Sequence, residues 1–154
     1  MEIASFFVNR IMTSNQLPSA QDKIIQVVAA VAHDEQRRIL LARRKSMLHC
    51  GGLWEFPGGK VEEGEIPAEA LKRELAEEFD VKADVEEFVG AQVYDYGTKK
   101  INLMAYWVRL ENTNMRLTDH DRVLWLDIAN LDTVELAPAD VFLVKIIKSA
   151  KFLA

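Results

Sequence analysis

The segment from Gly59 to Val81, GKVEEGEIPAEALKRELAEEFDV, constrains this chain more than any other. At about 100° per residue on a helix, Glu74, Glu77 and Glu78 are i, i+3 and i+4 neighbours, and Leu71, Leu75 and Phe79 form an apolar stripe beside them. Like charges so spaced repel, and a bound divalent cation reverses that sign. Carboxylates without Cys or His partners suit Mg²⁺ or Mn²⁺, held together with water and substrate phosphates. A Glu-rich run is more often just a solvated helix face, so its flanks decide. Leu53-Trp54-Glu55-Phe56-Pro57-Gly58-Gly59 precedes it, a short apolar run ending in a Pro-Gly-Gly turn that lets backbone approach a ligand. Strand, glycine loop and acidic helix together suggest a phosphate-and-metal site.

The order Gly59, five residues, Glu65, seven residues, Arg73-Glu74-Leu75, one residue, Glu77-Glu78, one residue, Asp80-Val81 resembles the Nudix box, which carries glycine where Asp80 stands. Six specified positions, each matched at roughly one in fifteen by composition, put a chance match on the order of 10⁻⁷ per start site. Position 80 falls just past the helix C-terminus, where a left-handed residue is common and Asp is a lightly penalised substitute for glycine. Asp80 is therefore expected to cost stability rather than activity.

The resemblance implies an α+β fold, an α/β/α sandwich with a mixed sheet, over about Lys23 to Lys151. It implies that Glu74, Glu77 and Glu78 hold Mg²⁺, with Mn²⁺ substituting and the Gly58 carbonyl as a further ligand. Arg73 would orient a box carboxylate through a charge-assisted fork, and Glu65 would serve the loop or a second metal shell. Arg44, fourteen residues before Gly58, corresponds to a phosphate-binding arginine of the MutT branch. Arg43 points the other way on a regular strand. For the general base the same branch points to Asp119, six residues before Trp125; Asp121 or the box glutamates Glu77 and Glu78 could serve instead. His120 could also titrate near neutrality, although a lone loop histidine is more often solvated.

Leu136-Ala137-Pro138-Ala139-Asp140 resembles the opening of the last helix in MutT and CTP pyrophosphohydrolase relatives, which makes Asp140 a nucleobase contact. An ionised carboxylate only accepts hydrogen bonds, which suits the cytosine amine and also the N1–H and 2-amino edge of guanine. The competing reading of Asp140 is a helix N-terminal carboxylate. Phe56, Tyr94 and Tyr96 are candidate stacking surfaces, with Lys99 at the rim. The implied activity is Mg²⁺-dependent cleavage of a nucleoside triphosphate to monophosphate and pyrophosphate, clearing (d)CTP-type or 8-oxo-dGTP nucleotides from the pool. The alternatives are hydrolysis of another nucleoside diphosphate derivative such as ADP-ribose, and a nucleotide sensor without turnover.

The rest of the chain fits that frame. With 154 residues, 49% hydrophobic and 28% charged, it suits one domain with a substantial core, read as 22–154 with residues 1–21 as an appended arm, mobile or packed on a partner. A net charge of −5 argues against binding a nucleic-acid polymer. No signal peptide or membrane span is evident. Cys50, the single cysteine, allows no intrachain disulfide and suits a reducing compartment, by default the cytoplasm. A catalytic thiol there has no readable base. Monomer and homodimer are both open. Strands are expected at Lys23 to Ala32, Arg37 to Arg44, Ala83 to Tyr96, Lys99 to Leu110 and Val123 to Leu126, with a last helix from Pro138 to Lys151.

Overall fold

The computed structural model describes residues 23–150, so the expected arm at 1–21 lies outside the described residues. Seven strands and two α-helices follow in the order β1 (Ile24–Ala32), β2 (Ile39–Arg44), β3 (Trp54–Glu55), β4 (Gly58–Lys60), α1 (Pro67–Phe79), β5 (Ala83–Asp95), β6 (Lys100–Leu110), β7 (His120–Leu126) and α2 (Val141–Ser149). The strands divide between two sheets: a mixed one ordered β4-β1-β6-β5, in which only β1 and β6 run parallel, and an antiparallel one ordered β3-β2-β7.

Strand alternation builds the layers. Val28, Ala30 and Ala32 of β1 and Leu40 and Ala42 of β2 pack with Ala70, Leu71, Leu75 and Phe79 of α1. Their neighbours Ala29, Val31, Ile39 and Leu41 join Leu143, Val144 and Ile147 of α2 in the second core. One helix thus covers each face, and the apolar stripe of α1 is the one its spacing implied. Buried on both sides, β1 reads as a continuous apolar run rather than an alternating one.

Three boundaries differ from expectation for local reasons. β2 begins at Ile39 because Asp34 closes a turn, accepting the Arg38 N–H at 2.8 Å and its Nε–H at 2.7 Å, with Arg37 left-handed at φ 62°. β7 begins at His120 rather than Val123, paired with the end of β2. The last helix starts at Val141, since Pro138–Asp140 form a tighter 3₁₀ turn. Gly97, at φ 83°, turns the β5–β6 hairpin where expected.

Candidate active site

α1 starts with Pro67 in its first turn and stops at Asp80, whose φ and ψ of 54° and 42° are left-handed, as its place after the helix suggested. The Asp80 N–H donates to Ala76 O at 3.1 Å. The last carbonyls of the helix are capped by the loop before β7: Thr118 N–H reaches Glu78 O at 3.2 Å and Arg116 N–H reaches Phe79 O at 3.0 Å. That loop continues directly into Asp119, so the box helix itself fixes where Asp119 lies.

Arg73 organises the outer part of the acidic face. Its Nε–H and one Nη2–H fork onto Glu65 at 2.8 and 2.9 Å, Nη2 also donates to Lys60 O, and Nη1 donates to Glu74 at 2.9 Å and Glu77 at 3.3 Å. The fork lowers the Glu65 pKa to about 2, with the Glu62 N–H assisting. Glu74 can lie this close to β4 only because Gly59 has no side chain; a Cβ there would overlap its carboxyl group. Glu77 is 60% exposed.

Glu78 is the inner member. Burial first, then the carboxylates of Glu74, Asp119 and Glu55, push its pKa up to about 8, and its Oε2 is buried with no hydrogen-bond partner among the described residues. An orphaned oxygen among several carboxylates is a donor set that fits a hard divalent cation. Among the described residues no three such side chains already converge on one point. Glu74 is turned to Arg73 and Glu77 to solvent, so the chemistry, rather than a preset cage, carries the fit.

The next layer comes from the small sheet. Arg44 Nη1 donates to Glu55 Oε1 at 3.1 Å and its Nε donates to the His49 carbonyl at 2.8 Å. Burial opposes its charge, but Glu55, Glu78 and Asp119 hold the guanidinium pKa above its ordinary value. His120, expected as a solvated loop histidine, is instead buried, with Nε2 2.8 Å from Glu55 Oε1 and its ring stacked on Phe79 at 4.9 Å between centroids. Asp121 departs the other way and accepts the Arg43 Nε–H at 2.8 Å, which lowers its pKa and holds it away from the acidic cluster. Sequence reasoning gave Glu55 no role. A single carboxylate inside the apolar run Leu53 to Phe56 was the available signal.

Beyond Arg44 a cavity of about 170 Å³ opens, lined by Arg44, Glu55, Phe56, Tyr96, Lys99 and Asp140 among others. Gly58 and Gly59 floor the end nearest α1. That volume is below the roughly 300–1,000 Å³ of a site enclosing a whole drug-sized ligand, so it can take a base and leave phosphates outside. Phe56 is almost wholly in the core, and its N–H donates to Asp140 Oδ2 at 2.9 Å. Asp140 stands at the N-cap of α2, where the N-terminal-carboxylate reading puts it, but its side chain makes no hydrogen bond to that helix. Burial first, then Glu55, raises its pKa well above 3.8 despite Phe56 N–H and Arg44. That rise shifts the balance toward the neutral acid, which can donate as well as accept. Tyr96 Oη accepts the Ala139 N–H at 3.2 Å and the Cys50 Sγ–H at 3.8 Å.

Carboxylates gathered beside a glycine turn, a half-buried arginine and a base-sized cavity define a metal-using hydrolase of nucleotide phosphates. Residues 23–148 match the NUDIX domain model. The chain is 37% identical over 119 residues to the CTP pyrophosphohydrolase of Escherichia coli, covering 77% of this chain and 87% of that protein. It is 34% identical over 122 residues to the 8-oxo-dGTP diphosphatase of Haemophilus influenzae, covering 79% and 90%. The solution structure of the E. coli ORF135 protein superposes with a TM-score of 0.71 at 34% identity, over 82% of this chain and 90% of that one. The chain belongs to the Nudix family and is a Nudix hydrolase. Among the described residues no helix is long and apolar enough to cross a membrane.

Proposed function

We propose that this enzyme is a Mg²⁺-dependent nucleoside triphosphate pyrophosphohydrolase that releases a nucleoside monophosphate and pyrophosphate, removing modified nucleotides from a cytoplasmic pool. One observation carries the reading: Glu78, whose Oε2 is buried with no hydrogen-bond partner among the described residues, interacts with Glu74 and Asp119 on one side and with Glu55 and Arg44 on the other, and these last two line the cavity that reaches Asp140. Glu74, Glu77, Glu78 and the Gly58 carbonyl would hold the divalent cation, which when bound would neutralise charge on the phosphate oxygens and lower the pKa of a bound water.

The chain's own groups do the rest. Arg44 faces the phosphates and offsets their charge, while Glu55 and His49 O keep its guanidinium in place. Arg73 positions Glu74 and Glu77 and, saturated by five acceptors, has no donor to spare for substrate. Asp119, which interacts with Glu78 after the capped loop, takes the proton of the attacking water in this reading. Hydrolysis forms one P–O bond to water oxygen and breaks one phosphoanhydride P–O bond. Asp140, with Lys99 at the rim, reads the base, and its neutral acid suits either a (d)CTP-type base or 8-oxoguanine. The Escherichia coli and Haemophilus influenzae relatives, named for these two nucleotide types, support the same pair.

The test is pyrophosphate release over a panel of (d)CTP, 5-substituted dCTP, dGTP, 8-oxo-dGTP and ADP-ribose, with Mg²⁺, with Mn²⁺ and with chelator. Glu78→Gln should abolish release while leaving the fold intact. Retention of full Mg²⁺-dependent release by that variant overturns the site. ADP-ribose as the best substrate would replace the triphosphate reading, and binding without turnover would make the chain a sensor.

A further inference from the structure

The pairing of β2 with β7 runs in regular antiparallel register from Ile39 opposite Leu126 to Arg43 opposite Arg122, then slips: Arg44 pairs with His120, and Asp121 is left over as a bulge. Opposed residues of an antiparallel pair share a face. Without the bulge, Asp121 would sit across from Arg44. With it, His120 does, and Asp121 swings to the far face, where it binds Arg43. Glu55 shares the near face, since it pairs with Ala42, two residues before Arg44. One extra residue thus brings Arg44, Glu55 and His120 together.

Arg44 Nη1 and His120 Nε2 approach the same oxygen, Glu55 Oε1, at 3.1 and 2.8 Å. An acceptor carboxylate requires the proton on Nε2, which in the neutral ring leaves Nδ1 a bare lone pair. Nδ1 is indeed buried without a hydrogen-bond partner among the described residues. A fully buried imidazole with an unsatisfied nitrogen is a poor space-filler beneath Phe79, where an apolar ring would avoid that cost. The geometry that rewards it is the bond to Glu55. Pulled only by Arg44, the Glu55 carboxylate could rotate with it; anchored by His120, it becomes a fixed counter-charge that holds the guanidinium by Nη1 while His49 O holds Nε. Among the described residues Nη2 makes no hydrogen bond, so that edge is presented to a ligand.

We propose that His120 is a positioning residue for substrate phosphate binding, acting through Glu55 on Arg44. The inference rests on the assignment of Arg44 to the phosphates and goes beyond it by adding the imidazole that orients it.

The experiment compares His120→Phe, which keeps the stack on Phe79 but has no donor, with His120→Gln, which restores an N–H near the Nε2 position, and with Arg44→Gln, singly and combined. KM and kcat are measured on the best triphosphate of the panel, and the Mg²⁺ activation midpoint alongside. His120→Phe should raise KM about tenfold with kcat changed less than about threefold, the pattern of lost uniform binding. The Mg²⁺ midpoint should stay put, His120→Gln should recover most of the loss, and His120→Phe should add little once Arg44 is Gln. An unchanged KM in Arg44→Gln overturns the phosphate role of Arg44 and this proposal with it. A raised KM there but not in His120→Phe overturns the role of His120 alone, as does a loss carried by kcat or one that Gln fails to recover. Independently of any variant, the ¹⁵N spectrum of the histidine-labelled wild-type chain should give His120 as the Nε2–H tautomer; the Nδ1–H tautomer overturns the proposal.

Discussion

Arg43 and Arg44, adjacent in the chain, end on opposite faces of β2, one against Asp121 at 2.8 Å and the other against Glu55 at 3.1 Å. Their environments differ as sharply as their directions. The Arg43 pair is solvent-exposed, the kind of ion pair that contributes about 0–1 kcal/mol. Arg44 lines the cavity among Glu55, Glu78 and Asp119. Arg43→Ala should therefore leave kcat/KM within about twofold. Arg44→Ala, losing a charge-assisted contact of about 1.5–3 kcal/mol, should lower kcat/KM about 10- to 100-fold. Steady-state kinetics on the two purified variants check the contrast, and equal losses would refute it.

The neighbouring glycines of the Pro-Gly-Gly bend separate fold from function in the same way. A Cβ at Gly58 would run into the Val28 carbonyl of the paired strand β1, which is backbone and cannot yield cheaply. Gly58→Ala should destabilise the fold by about 1–3 kcal/mol. A Cβ at Gly59 meets only the end of the Glu74 side chain, which can swing away. Gly59→Ala should melt close to wild type yet require a higher Mn²⁺ concentration for half-maximal activity. Thermal melts and metal titrations of both proteins read the two outcomes, and a Gly59→Ala protein with an unshifted metal midpoint would remove Glu74 from the metal set.

Asp80 occupies a left-handed position that an ordinary L-residue adopts at a cost. Asp80→Gly relieves that strain, while the extra freedom of glycine in the unfolded chain returns part of the gain. A net stabilisation of up to about 1 kcal/mol, or roughly 2–4 °C in Tm, is expected with kcat unchanged. Calorimetry on the purified variant decides, and a lower Tm would mean that the Asp80 side chain contributes more than its backbone costs.

What the sequence disclosed and what it withheld follow from range. The α1 stripe, the left-handed Asp80 and the divergence of Arg43 and Arg44 depend on residues within one turn or one strand, and all three were readable from spacing. The bulge at Asp121 is a property of how β7 aligns with β2, some eighty residues away in the chain, and no local pattern encodes it. Local pattern alone therefore leaves His120 between a titrating base and a solvated loop residue, and leaves Asp121 among the possible bases. Glu55 stayed without a role because its partners, Arg44 and His120, arrive from two other strands. The division of the strands into two sheets is likewise a matter of long-range pairing. The charge state of Asp140 depends on burial, which only the packed structure decides.

That charge state carries a pH dependence of stability. The folded-state pKa of Asp140 is raised well above 3.8, so between the unfolded and folded values the native protein holds a proton that the unfolded chain has released. Stability must then fall as pH rises through that window, because the unfolded state binds fewer protons. The contribution is complete below about pH 3.8 and lost as pH climbs through the raised folded value. Asp140→Asn keeps an oxygen for the Phe56 N–H and cannot ionise. Its Tm should exceed that of wild type at pH 8, with the gap narrowing as pH drops toward 4. The same substitution should change the ranking of (d)CTP against 8-oxo-dGTP far more than the metal requirement. Parallel Tm curves for the two proteins from pH 8 to pH 4 would mean that Asp140 is already ionised in the folded chain, and its carboxylate would then offer a base acceptors only.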